Sequence, residues 1–157
     1  MRHYQKTKNI VSVSVYQTRK IAGEFARDVL RKRGLREALI VALSGELGTG
    51  KTVFVQGFAK ELGVRRRITS PTFVLVRRFA LYIKKLAFSN LYHIDAYRLR
   101  KLGAVDRKRF QEMFTDPQNI ILIEWPERMR GILPKGAIKV KMRYGEHQNE
   151  RIILMNF

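Results

Sequence analysis

The chain contains no cysteine, which excludes disulfides and thiolate metal sites. Its three histidines, His3, His93 and His147, are scattered rather than set at ligand spacing, so no structural zinc is expected. No run approaches the roughly 18 apolar residues of a membrane span. The N-terminal "MRHYQKTKNIVSVSVY" also lacks an uninterrupted apolar stretch of the secretory kind. These absences lead to the expectation of a soluble, unexported, cytoplasmic protein. Acidic residues are scarce too: 13 Asp+Glu stand against 32 Lys+Arg, a formal charge of +19. An excess of that size spread along the whole chain favours polyanions, RNA foremost; the alternative is a solvated basic surface. With 157 residues and 45% hydrophobic composition, the length suits one domain, 1–157, with a real core. There is no internal repeat, low-complexity tract or linker.

What is present is "GELGTGKT", residues 45–52, between the apolar run "ALIVALS" (38–44) and the helical pattern "VFVQGFAKELG". The spacing is G-x-x-x-x-G-K-[ST], which answers the needs of a phosphate chain. Backbone N–H groups of a glycine-rich turn point at anionic oxygens, and the following helix adds the positive end of its dipole. Lys51 supplies a point charge for β- and γ-phosphates and Thr52 a hydroxyl for magnesium. A hard cation asks for further oxygen ligands, and two acids end short apolar runs: Asp95 in "LYHID" and Glu124 in "IILIE". Either suits the metal, directly or through water, while the other orients the attacking water. Each acid also has a simpler reading, as a capping or ion-paired residue among many arginines.

The flanking pattern predicts the elements. "IVSVSVY" (10–16) alternates as a half-buried strand does. Thr18 then caps a helix whose apolar positions Ile21, Ala22, Phe25, Ala26, Val29 and Leu30 share one face, with Gly34 ending it. The run 38–44 reads as a central strand buried on both faces. The helix after the loop buries Phe54, Val55, Phe58, Ala59 and Leu62 and closes at Gly63. Strands follow in 73–83, 90–95 and 119–125, a short helix in 106–114, and a helical turn from Pro126. A final hairpin pairs 137–144 with 150–157 across "GEHQN". The fold class is therefore α/β, a three-layer P-loop sandwich with a mixed, mainly parallel sheet and a C-terminal hairpin. "ITSPTF" (68–73) places hydroxyls around a proline in a basic loop, which suits a γ-phosphate-sensing switch or a plain turn into an edge strand.

In that order and at those separations, "GELGTGKT", "TSPTF", "LYHIDAYRL" and "IEWPER" followed by "LP" resemble the TsaE family of bacterial P-loop ATPases over nearly the whole chain. The resemblance implies ATP hydrolysis with magnesium in support of TsaB and TsaD proteins, which make threonylcarbamoyladenosine in tRNA. It implies phosphate binding by Gly48, Thr49, Gly50, Lys51, Thr52 and Val53, and magnesium at Thr52 and Glu124. It gives Asp95 a catalytic or metal-associated role, Thr72 a switch role, and places Trp125 beside the acid. Thr18 and Arg151 resemble positions near the base and ribose. The family usually carries an acidic segment between "DAYRL" and "IEW", whereas residues 100–119 here read "RKLGAVDRKRFQEMFTDPQN". That substitution sets Arg100, Lys101, Arg107, Lys108 and Arg109 toward tRNA phosphates. Two competing readings are a small P-loop kinase and a basic RNA-binding module with a structural nucleotide.

Overall fold

The computed structural model describes residues 7–32, 36–69, 75–82 and 88–156. Along the chain run β1 (Thr7–Ser12), α1 (Val15–Lys32), β2 (Leu39–Ser44) and α2 (Lys51–Glu61). They are followed by β3 (Val76–Ala80), β4 (Asn90–Asp95), α3 (Ala104–Thr115) and β5 (Asn119–Glu124). A 3₁₀ turn (Pro126–Met129) leads to the hairpin strands β6 (Ile138–Tyr144) and β7 (Arg151–Asn156).

Among the described residues the strands form one seven-stranded sheet in the order β1-β7-β6-β2-β5-β4-β3. Strands β6, β2, β5 and β4 are mutually parallel at its centre. β7 runs antiparallel between β6 and β1, and β3 antiparallel against β4. The sheet is thus mixed and mostly parallel, with the hairpin at one side. Alternation along the central strands divides the core. Leu39, Val41 and Leu43 of β2, with Ile120 and Leu122 of β5, face α1 and α2. Ile40, Ile121 and Ile123 face the opposite layer, where Phe110 and Phe114 of α3 and Met129 pack.

On the first face Phe25 of α1 meets Phe54 and Phe58 of α2, with ring centroids at 5.7 and 6.2 Å. Burying each such ring is worth about 1.5–3 kcal/mol. This packing fixes α2, and therefore the loop that opens it, against the sheet.

The N-terminal boundary differs from the sequence expectation. β1 covers Thr7–Ser12 and α1 already begins at Val15, so residues 10–16 are not one strand and Thr18 is not the cap. Ser14 caps instead: its Oγ accepts from the Gln17 N–H at 3.1 Å. The Gln17 side chain in turn accepts from the Val13 N–H at 2.8 Å. This S-x-x-Q start, in which the glutamine reaches the residue before the cap, turns the second half of an alternating stretch into a helix. Gly34 lies outside the described residues.

Candidate functional site

The sheet register assembles the site. β2 lies beside β5, which pairs Leu43 with Glu124, and β5 beside β4, which pairs Glu124 with Asp95. The loop leaving β2 and the two acids therefore meet outside the carboxyl ends of neighbouring parallel strands, where open α/β sheets bind ligands.

The loop is shaped by backbone conformations that only glycine adopts without strain. Gly48 and Gly50 have φ of +79° and +96°, and a Cβ on Gly48 would stand 2.5 Å from the Tyr144 hydroxyl. That hydroxyl donates to the Leu47 carbonyl at 2.6 Å. Arg151 stacks over the Tyr144 ring at 4.6 Å and points a guanidinium N–H at the Gly48 carbonyl, 3.5 Å away. The hairpin thus braces the loop from behind. Thr49, fully buried, turns inward, its hydroxyl donating to the Glu46 carbonyl at 2.8 Å.

Lys51 lies folded under the loop. Its Nζ donates to the carbonyls of Gly45 at 2.7 Å and Glu46 at 2.8 Å and sits 4.0 Å from the Trp125 ring centroid. Burial pushes its ammonium below the ordinary lysine pKa of 10.5, while Glu124, Glu127 and Asp95 pull the other way. Next to it the Thr52 hydroxyl donates to the Glu124 carboxylate, 2.9 and 3.1 Å from the two oxygens. Asp95 accepts the Tyr97 N–H at 3.0 Å. A pocket of about 410 Å³ opens here. Gly48, Gly50, Lys51, Thr52 and Val53 form one wall, and Asp95, Glu124 and Trp125 the other, with Leu47 and Tyr97 at the rim.

Sequence reasoning missed His93. It is fully buried, and its Nε2 lies 2.8 Å from Glu124 Oε1. An ionised carboxylate only accepts, so the imidazole donates. Its Nδ1 has no partner among the described residues. The available signal was its place in β4, two residues before Asp95. Trp125 adopts φ +59°, a conformation that costs a bulky residue about 1–2 kcal/mol. It is held by its N–H to the Leu43 carbonyl at 3.2 Å and by Tyr97, with centroids 5.0 Å apart.

Most of the residues picked from the sequence thus converge on one pocket. Thr18 does not line it: its side chain is buried on α1 and shares a 2.8 Å hydrogen bond with Ser12. Thr72 lies outside the described residues.

The donor set suits a hard divalent ion: a hydroxyl and a carboxylate already in contact, with the His93 imidazole bonded to the carboxylate and not part of the pocket lining. A strand, a glycine loop and a helix, with carboxylates ending the adjacent parallel strands, define an α/β protein of the P-loop type.

Comparison with known proteins narrows the class. The family model described as threonylcarbamoyl adenosine biosynthesis protein TsaE matches residues 12–153. The tRNA threonylcarbamoyladenosine biosynthesis protein TsaE of Haemophilus influenzae is 33% identical over 122 residues, covering 78% of this chain and 73% of its own. The protein of the same name from Treponema pallidum is 38% identical over 120 residues, covering 76% and 84%. The crystal structure of Bacillus subtilis YdiB superposes with a TM-score of 0.71 at 25% identity, covering 98% of this chain and 87% of that one. The chain belongs to the TsaE family.

Proposed function

We propose that the protein is a magnesium-dependent ATPase that serves tRNA threonylcarbamoyladenosine synthesis by supporting the turnover of TsaB and TsaD proteins. One observation carries the reading: the Thr52 hydroxyl and the Glu124 carboxylate meet at 2.9 Å at the mouth of a glycine-loop pocket. In this reading the loop N–H groups from Gly48 to Val53 bind the phosphates, and Lys51 exchanges loop carbonyls for phosphate oxygens. Thr52 and Glu124 would hold magnesium, which when bound neutralises charge on the phosphate oxygens. His93 keeps the Glu124 carboxylate oriented by its hydrogen bond, as outer partners of metal-binding acids do. Asp95, on the adjacent strand, orients the attacking water. Thr72 answers the γ-phosphate, and Arg151 stands on the ribose side through its reach to the loop.

The test is phosphate release from ATP, measured for the protein alone and with TsaB and TsaD. Stimulation by the partners is expected, together with loss of hydrolysis in Lys51→Ala and Thr52→Ala. Hydrolysis at the parent rate in either variant would overturn the reading. The absence of hydrolysis under all conditions, with RNA binding retained, would favour a module in which nucleotide is structural.

A further inference from the structure

Three adjoining openings lie along α1, the C-terminal half of α2 and the segment leading from α2 to β3, on residues that the nucleotide pocket does not use. Their volumes are about 650, 560 and 390 Å³. The largest shares Arg19 and Lys60 with the smallest, and Gly63–Arg66 with the intermediate one, so together they form one trough. Basic side chains line all three openings, set among apolar residues such as Val64, Ile68 and Phe79. Arg65, Arg66 and Arg67 are consecutive and exposed, and among the described residues they have no ion-pair or hydrogen-bond partner. Among the described residues Arg19 is bonded only to a neutral group, the Gln56 amide oxygen, at 2.9 Å. Among the described residues the one acid lining the trough, Glu61, is engaged by Arg27 at 2.8 Å.

Each end of the trough carries an exposed tyrosine. Tyr16 is 77% exposed at one end and Tyr82 92% exposed at the other. Cations that track a backbone, with aromatic faces on which bases stack, are the components of sequence-tolerant nucleic-acid binding. A protein partner with acidic side chains would use the cations but has no need of solvent-facing rings at both ends.

We propose that this trough is an RNA-binding surface, in which Arg65–Arg67, Arg19 and Lys60 contact phosphates and Tyr82 stacks on a base. The choice of RNA rests on the proposed function, whereas the polyanion chemistry does not. The binding needs neither ATP nor the partner proteins.

The test is fluorescence anisotropy of the full chain with a labelled tRNA transcript, without nucleotide, TsaB or TsaD, between 50 and 300 mM salt. Wild-type affinity should fall steeply with salt. Arg65→Glu/Arg66→Glu/Arg67→Glu should weaken binding about tenfold or more and flatten the slope of log K against log salt by about 2–3. Arg107→Glu/Lys108→Glu/Arg109→Glu makes the same change in net charge on α3, the segment that the sequence alone set toward tRNA; because α3 packs on the opposite face of the sheet from the trough, this variant should cost far less. Tyr82→Ala should weaken binding severalfold and leave the slope unchanged, because stacking releases no counterions. Circular dichroism and melting temperature confirm the fold of each variant.

Binding that ignores salt, an equal loss in the α3 variant, or no loss in the Arg65–Arg67 variant would overturn the assignment. So would an unchanged Tyr82→Ala variant, or polyglutamate of matched charge competing as well as tRNA, which would point to an acidic protein. Failure of ATP hydrolysis leaves these readouts untouched, so the two readings fall separately.

Discussion

The crossing of α1 over α2 decides the sign of a substitution that helix propensity alone would misjudge. Gly57 sits inside α2, where replacing glycine by alanine ordinarily stabilises a helix by about 1 kcal/mol. A Cβ there would lie 2.3 Å from the Arg19 carbonyl oxygen, 2.6 Å from its Cα and 2.8 Å from its carbonyl carbon. All three are backbone atoms of α1 and none can rotate away. Forcing volume into a packed contact costs on the order of 1–3 kcal/mol, and three rigid clashes put Gly57→Ala at the upper end. The net effect is a loss of about 2 kcal/mol. For a chain of this size that lowers the melting temperature by about 4–8 °C.

Gly23, on the facing helix, is the internal control. Its nearest neighbours to an added Cβ are the end of the Glu61 side chain at 3.4 Å and the Gly57 carbonyl at 3.7 Å. Gly23→Ala therefore keeps its helical gain and should raise the melting temperature by about 2–4 °C. Thermal unfolding followed by circular dichroism measures both. A Gly57→Ala protein melting at or above the wild type would show that α2 is not seated by this contact. The loop helix would then owe its position to other contacts.

Tyr144→Phe removes the bond to the Leu47 carbonyl, worth about 0.5–1.5 kcal/mol. It should weaken ATP binding by about 2- to 10-fold by calorimetry, and an unchanged affinity would mean that the loop holds its shape unaided. Thr52→Val and Glu124→Gln should each weaken magnesium-dependent nucleotide binding, whereas Asp95→Asn should lower turnover more than affinity. Magnesium titrations giving identical, metal-independent curves for both acids would remove them from the site. Trp125 is the only tryptophan and packs against Lys51, so its emission should shift when Mg–ATP is added and shift less when magnesium is chelated. A spectrum indifferent to saturating nucleotide would detach Trp125 and its neighbour Glu124 from the phosphates.

Local chemistry made part of this protein legible without any coordinates. The turn 45–52 stands out as a glycine-rich loop between a strand and a helix because glycine spacing, a lysine and a hydroxyl are all contiguous, and it joins β2 to α2. α2 is readable because Phe54, Val55, Phe58 and Ala59 repeat at the helical period, and all four are buried. The run 38–44 reads as a central strand because it is apolar on both faces, and β2 is flanked by β5 and β6. One local signal misled: alternation through 10–16 hid a helix cap, because a strand pattern and an S-x-x-Q start overlap in sequence.

What chain order does not contain is which residues face each other across the sheet. Asp95 and Glu124 are 29 positions apart, and only the in-register parallel pairing of β4 with β5 sets them side by side. The same pairing buries His93 against Glu124, a role no spacing rule assigns to a lone histidine. Likewise Tyr144 and Arg151 reach the loop only because the hairpin lies beside β2. These contacts are long-range, so they depend on strand order and register, which burial of the whole sheet selects and no short stretch of sequence encodes. The charge divides the same way: its excess is plain from composition, but the gathering of Arg19, Lys60 and Arg65–Arg67 into one trough follows from the packing of α1 on α2.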